Sequence, residues 1–258
     1  MRYLFGRAHR DVLEQFARSR TLLAFDYDGT LAPIVRDPER AEMRPSTRRL
    51  LGAVARAYPC VVISGRSRAD VRKHLRGVRL LAVLGNHGIE PWPAGARARR
   101  TVRRFLPLLR RRLDGIPGVV IEDKGQSLSL HYRRSADKRR ARREILAAAA
   151  GLAGAKVTGG KQVLNVLPAG APDKGVALVR ARARSGCDTA VYLGDDETDE
   201  DVFALDQPGQ LLAVRVGRKR ASAAAYYIRR QAEIDRVLRR LLGFRPGPAS
   251  ERGREGPR

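Results

Sequence analysis

The chain reads as an α/β protein, a doubly wound parallel-sheet core into which a smaller α+β unit is inserted. Three observations predict this. Short apolar runs of strand length alternate with helical stretches in both halves of the chain. Each chemistry-bearing segment falls at the carboxyl end of such a run, where the loops of a parallel sheet converge on one crevice. Between Pro91-Trp92-Pro93 and Pro168-Ala169-Gly170-Ala171-Pro172 the alternation changes, and those two Pro-rich stretches read as hinges.

Residues 22–25 form the first buried strand and run into Asp26-Tyr27-Asp28-Gly29-Thr30-Leu31. Two carboxylates two positions apart emerge together where that strand ends. One can attack an electrophile, phosphorus being the obvious one, while its neighbour handles a proton. Gly29 permits the sharp bend that holds both at one centre. A structural Asp-Gly turn is the plainer reading of the same residues. After a helix over 46–57, residues 60–63 form a second strand ending in Ser64-Gly65-Arg66. The Ser64 hydroxyl can donate to a phosphoryl oxygen, or it can serve as an ordinary turn or cap before the helix over 68–75. A third strand over 80–84 leads through Gly85-Asn86-His87-Gly88-Ile89-Glu90 into the insert. That route brings His87 and Glu90 within reach of a substrate, although a histidine in a glycine turn is also a common structural residue.

The insert contains a helix near 101–113, strands over 119–123 and 127–132, a helix near 137–150, and strands over 155–158 and 163–167. This is a lid of helices on a small sheet, and a lid that excludes water strengthens the electrostatics beneath it. Glu122, Lys124, His131 and Arg133 alternate with apolar neighbours along adjacent strands, a pattern that fits a ligand-facing side and a solvent-facing side equally. The core resumes at Pro172-Asp173-Lys174-Gly175, which opens a helix over 176–184 and places Lys174 where a fixed cation can face an anion. A strand over 190–193 then delivers Gly194-Asp195-Asp196-Glu197-Thr198-Asp199-Glu200-Asp201, whose crowded acids repel one another unless a cation is present. A strand over 211–216 follows. The expected divisions are core residues 1–92, insert 93–168, core 169–244, and a disordered basic tail over 245–258, where Pro, Gly and charge dominate.

Asp26-Tyr27-Asp28-Gly29-Thr30, Ser64, Lys174 and Gly194-Asp195-Asp196 through Asp199 resemble the four spaced motifs of the haloacid dehalogenase superfamily of phosphatases. Ser64-Gly65-Arg66, Gly85-Asn86-His87-Gly88-Ile89-Glu90, Glu122-Asp123-Lys124, His131-Tyr132-Arg133 and the acidic loop resemble, more narrowly, the trehalose-6-phosphate phosphatase family, over about residues 20–240. The resemblance implies that the insert is the cap that selects the sugar, with Glu122, Lys124, His131 and Arg133 facing hydroxyls and Arg66, His87 and Glu90 near the substrate. One departure stands out. Asn165 and Leu167 occupy positions where the family usually has glutamate and arginine. An amide still hydrogen-bonds hydroxyls but lacks the charge, which leaves other glycosyl phosphates, such as glucosylglycerol or mannosylglycerate precursors, as alternative substrates.

Residue types alone allow the chemistry to be assembled. Mg²⁺ takes oxygen ligands, which Asp26 and Asp195 can supply together with the backbone carbonyl of Asp28. Asp26 is then the nucleophile, Asp28 the acid and base, and Ser64 and Lys174 the holders of the non-bridging oxygens. Asp196 and Asp199 fit better as groups orienting Lys174 or metal waters than as direct ligands.

The composition offers a rival. Lys and Arg number 52 against 27 acids, a formal net charge of +25 in 258 residues. Such a charge points towards nucleic acid or another anionic surface. The arginines are spread as solvated helix faces would be, and aromatic residues are only 5%, too few for base stacking, so nucleic acid is an unlikely but open partner. A sugar phosphate is the expected small-molecule partner, with functional coupling to a trehalose-phosphate synthase a further candidate. Two cysteines make no disulfide framework, charges run through the first twenty residues, and no stretch is long and apolar enough to span a bilayer. These features predict a cytoplasmic protein with no membrane partner.

Overall fold

The computed structural model describes residues 1–9, 11–35, 37–92 and 95–245. Its main element is a seven-stranded, all-parallel sheet in the order β1-β11-β10-β9-β2-β3-β4. The first half of the chain supplies β1 (Arg2–Tyr3), α1 (Val12–Arg18), β2 (Thr21–Phe25), α2 (Pro45–Ala57), β3 (Cys60–Ile63), α3 (Arg68–His74) and β4 (Ala82–Leu84). After the insert come α6 (Lys174–Ser185), β9 (Thr189–Gly194), α7 (Glu200–Phe203), β10 (Leu211–Val216), β11 (Tyr226–Ile228) and α8 (Ile234–Phe244). The chain moves outward from β2 to β3 and β4, then resumes on the other side of β2 with β9. The β2/β9 boundary is therefore the topological switch point, where an open parallel sheet has its ligand crevice.

The central strand is wholly buried because both faces are covered. Leu23 and Phe25 point to one face and pack with Leu51 and Val54 of α2 and Val237, Leu238 and Leu241 of α8. Leu22 and Ala24 point to the other and pack with Ala177 and Leu178 of α6 and Phe203 of α7.

The insert comprises α4 (Gly95–Leu113), β5 (Val120–Asp123), β6 (Leu128–His131), α5 (Lys138–Ala150), β7 (Ala155–Gly160) and β8 (Val163–Pro168). Its four strands form an antiparallel sheet in the order β5-β6-β8-β7. Leu128, Leu130, Leu164 and Val166 turn to the face covered by α4 and α5, where they meet Phe105, Leu109 and Ile145. Strand alternation puts Ser129 and Asn165, directly opposite in register, on the other face. Both are buried, at 0% and 4% exposure, so the centre of that face is turned against the core, while Val120 and Glu122 of β5 on the same face are exposed.

Several expected boundaries shift. Lys124 and Arg133 lie just past the strands on which they were expected, and Lys174 belongs to α6 itself, capped by the Asp173 carboxylate on Val176 N. Two short strands, β1 at the sheet edge and β11 beside it, and the helices α1, α7 and α8 add to the expected core. The expected tail falls outside the described residues from 246 onward.

Candidate active site

β2 ends at Phe25, and Asp26 N donates to Leu193 O of the neighbouring β9, which locks the two strand ends together. Gly29 then turns the chain at φ +84°, so close to the acidic loop that a Cβ there would collide with the Asp195 carboxylate. The result places Asp26, Asp195 and Asp199 with carboxylate oxygens within 4.8 Å of one another, all buried.

Lys174, 2% exposed, sits among them and donates to Asp26 Oδ1 at 2.8 Å and Asp199 Oδ1 at 2.7 Å. Burial alone would pull its ammonium down, but Asp199 and Asp26 outweigh that and hold it above the ordinary lysine range. Burial raises Asp26 well above the ordinary carboxylate range, against the opposing pull of Lys174. The Asp199 carboxylate is saturated. Its Oδ1 also accepts Tyr192 OH at 2.6 Å, and its Oδ2 accepts Asp195 N and Asp196 N at 2.7 and 2.8 Å. Four donors fill the lone-pair sites of one carboxylate, so Asp199 fixes Lys174 and the acidic loop and has little capacity left for a cation.

Asp195 differs. Lys161, from the β7–β8 turn, reaches its Oδ2 at 2.5 Å, while its Oδ1 is buried without a partner. Burial pushes the Asp195 carboxyl up to about 6, against the pull of Lys161. An orphaned buried oxygen beside the Asp26 carboxylate is a donor set suited to a hard divalent cation, which takes oxygen ligands and few protein carboxylates. The expected mutual repulsion in the acidic loop is met partly by the protein itself. Arg215, 5% exposed, donates to Asp195 O at 2.5 Å, Asp196 O at 3.2 Å and Glu200 Oε1 at 2.7 Å.

Asp28 faces Arg66, whose Nε and Nη2 donate to its two oxygens at 2.7 and 2.8 Å, a bidentate fork. Asp70 Oδ2 in turn accepts Arg66 Nη1 at 2.8 Å. Arg66 therefore holds Asp28, which leaves the Asp28 side chain no part in gripping a cation. Ser64 is fully buried, and its Oγ accepts Arg66 N at 3.1 Å, so its own proton is left to donate.

The insert meets this centre directly. Lys124 Nζ donates to Gly65 O at 3.0 Å, Asn86 Nδ2 to Lys124 O at 3.2 Å, and Ser127 Oγ to Asn86 Oδ1 at 2.7 Å. Glu122 and His131 contact each other at 2.7 Å, and the His131 contact, then Lys124, lower the Glu122 carboxyl despite its burial. Asn165 accepts Ser129 Oγ at 2.7 Å. His87, at φ +58°, packs its ring where a Cβ on Gly65 would sit, and both ring nitrogens are buried without a hydrogen-bond partner. Burial, then Lys174 and Lys124, push its imidazole well below the ordinary range, against a smaller pull from Asn165. Two sequence candidates have other occupations. Glu90 braces the hinge, accepting Arg68 N at 2.5 Å and Gln126 Nε2 at 3.2 Å. Arg133 spans from insert to core, donating to Val35 O at 2.9 Å. Lys161, Tyr192, Arg215 and Asp70 were not singled out from sequence. Lys161 and Arg215 belong to no local motif, and Tyr192 lies within the apolar strand over 190–193.

A buried carboxylate bonded to a lysine, at the switch point of a lidded parallel sheet, is an arrangement suited to phosphoryl transfer. The C-terminal domain of trehalose-6-phosphate phosphatase from Candida albicans has this fold, with a TM-score of 0.76 at 24% identity over 91% of this chain and 97% of that one. Residues 24–229 match the trehalose-phosphatase family profile. A probable trehalose-phosphate phosphatase from rice, Oryza sativa subsp. japonica, is 32% identical over 90% of this chain and 72% of its own length. A trehalose-phosphate phosphatase from Mycolicibacterium paratuberculosis is 35% identical over 84% of this chain and 61% of its own. The chain belongs to the trehalose-phosphatase family and is a phosphoric monoester hydrolase.

Proposed function

We propose that the chain hydrolyses trehalose 6-phosphate to trehalose and phosphate through an aspartyl-phosphate on Asp26, with Mg²⁺ as its cofactor. The observation that carries this reading is the Asp26 carboxylate, 4% exposed and within 2.8 Å of Lys174, at the mouth of the β2/β9 crevice. Mg²⁺, held by Asp26, Asp195 and the main-chain carbonyl of Asp28, would neutralise phosphate charge and keep Asp26 ionised.

Within that frame the residues divide the work. The Asp26 carboxylate oxygen forms a bond to phosphorus as the bond to the sugar oxygen breaks, and Asp28 gives its proton to that oxygen. Arg66 aims Asp28, and one arm of the fork opens when the acid turns to the leaving group. Water then attacks phosphorus, Asp28 takes its proton, and the Asp26–phosphorus bond breaks. Ser64 and Lys174 hold non-bridging oxygens throughout, with Lys174 kept in line by Asp199. Asp196 orders the acidic loop through its backbone bond to Asp199. His87, neutral, offers one donor and one acceptor to sugar hydroxyls, and Glu122, Lys124, His131 and Asn165 line the same lid face. Arg133 and Glu90 act on the lid's position.

We divide the chain accordingly into core 1–92 and 169–244 with cap 93–168, working in the cytoplasm beside the synthase that supplies its substrate. Among the described residues no helix is long and apolar enough to cross a membrane. Asn165, already engaged by Ser129, supports a second reading, a different glycosyl phosphate as substrate. Phosphate release from trehalose 6-phosphate, glucosylglycerol phosphate and mannosylglycerate phosphate, with and without Mg²⁺, decides between them. Turnover of trehalose 6-phosphate that is fastest and Mg²⁺-dependent is the expected result, and no release from it overturns the substrate.

A further inference from the structure

On the hinge side of the lid lies a cavity of about 610 Å³ lined by Arg68 and Arg72 of α3, Arg99 of α4, and Glu90, Trp92 and Gln126 among others. None of Asp26, Asp28, Ser64, Lys174 or Asp195 lines it. Its volume is that of a small-molecule site. Among the described residues, no carboxylate is paired with the guanidinium group of Arg68, Arg72 or Arg99. Glu90, the acid in the wall, spends its oxygens on Arg68 N and Gln126 Nε2. Arg68 Nε donates to Val83 O at 3.0 Å, which fixes its guanidinium on the wall, while Arg72 and Arg99 are exposed. Three guanidinium groups on one wall outnumber the single carboxylate of Glu90, and an anion beside them offsets the excess charge.

The wall also carries two polar atoms with nothing to bond. Gln126 is 7% exposed, and its Oε1 is buried without a partner. Trp92 Nε1 is likewise buried and unpartnered. One is an acceptor and the other a donor, a pair suited to hydroxyl groups. Arg184 stacks over the Trp92 ring at 4.7 Å from its centroid, which fixes the indole and adds to the positive field.

We propose that this cavity binds a second small molecule, a phosphate monoester of a polyol, with its phosphate among Arg68, Arg72 and Arg99 and its hydroxyls towards Gln126 and Trp92. The ligand bridges α3 of the core and α4 of the lid, so it ties the two together at the hinge.

Trp92 is the chain's single tryptophan and stands in the wall of this cavity, so its fluorescence reports changes there. The experiment titrates glycerol 1-phosphate and inorganic phosphate into the full-length Asp26→Asn protein, which does not consume the ester, at about 0.15 M salt. The expected result is a saturable change, tighter for glycerol 1-phosphate, with apparent Kd raised at least about tenfold by adding Arg72→Ala and Arg99→Ala. Those two exposed arginines lie outside the catalytic machinery, so the double variant with Asp26 intact should keep the wild-type kcat/KM for the sugar phosphate. No saturable change, or a change that survives the double substitution, overturns the site. Equal affinity for inorganic phosphate overturns the polyol assignment. A fall in kcat/KM alongside the lost signal would make the cavity part of the substrate cleft and overturn a second site.

Discussion

Asp26 and Asp28 are separated by one residue yet are placed in opposite surroundings. Asp26 is buried against Lys174, whereas Asp28 is partly exposed and gripped by Arg66. That asymmetry supports separate roles for two identical side chains. Asp26→Asn should fold as the wild type does and lose turnover by several orders of magnitude, because an amide does not attack phosphorus. Steady-state phosphate release above about a tenth of wild type would sink the nucleophile assignment. Asp28→Asn should behave differently with an aryl phosphate, whose leaving group departs without a proton. Phosphoenzyme should accumulate, trapped by acid quench and visible by mass, since departure proceeds while water activation fails. Rapid turnover of both aryl and sugar phosphates by that variant would remove Asp28 from acid/base work.

The elements legible in the sequence were those with a continuous hydrophobic signal of their own. β2, β3, β9 and β10 are apolar runs buried on both faces, and β5 to β8 with α5 stand within about two residues of their expected places, while α4 ends where expected but begins earlier, at Gly95. β1 and β11 were not legible, because strands of two and three residues carry no period and exist only through their parallel pairing. The same logic divides the site. Asp26, Ser64, Lys174 and Asp195 sit at strand or helix ends, where a motif can be read locally. Lys161 and Arg215 act on the acidic loop from 34 and 20 residues away, across contacts that tertiary packing alone creates. Arg133 shows how an expected ligand residue acquires a mechanical position, since its Nη1 donates to Val35 O across the lid and core. Arg133→Ala should therefore raise KM for the sugar phosphate, which needs the lid in place, and leave kcat/KM for a small aryl phosphate nearly unchanged. An equal loss on both substrates would show that Arg133 acts on the phosphoryl group instead.

At the scale of the whole molecule, a formal charge of +25 surrounds a centre that must accept a dianion. Screening acts on encounter more than on chemistry, so kcat/KM should fall as salt rises while kcat barely moves. Tight duplex binding at about 0.15 M salt with a steep salt slope, and inhibition by that duplex, would instead assign the arginines to nucleic acid. Within this positive shell the buried acids form a local exception that couples folding to protons and metal. Burial raises both Asp26 and Asp195, the latter to about 6. Between the ordinary carboxylate range and about 6 the folded protein binds more protons than the unfolded chain, so stability falls as pH rises through that window. A divalent cation reverses that loss only where the carboxylates are ionised, because it binds the deprotonated pair and no such pair is organised in the unfolded chain. Lys161 must yield Asp195 Oδ2 only if the cation takes that oxygen, since Oδ1 has no partner to lose. Tm measured with and without excess Mg²⁺ should therefore show a clear upward shift near pH 7.5 that shrinks towards zero near pH 5, and chelation should return the metal-free value. Asp195→Asn should abolish the shift at both pH values while leaving a folded protein, because the amide does not ionise and removes like charge from the cluster. A shift of equal size at the two pH values, or one that survives in Asp195→Asn, would place the metal elsewhere than between Asp26 and Asp195.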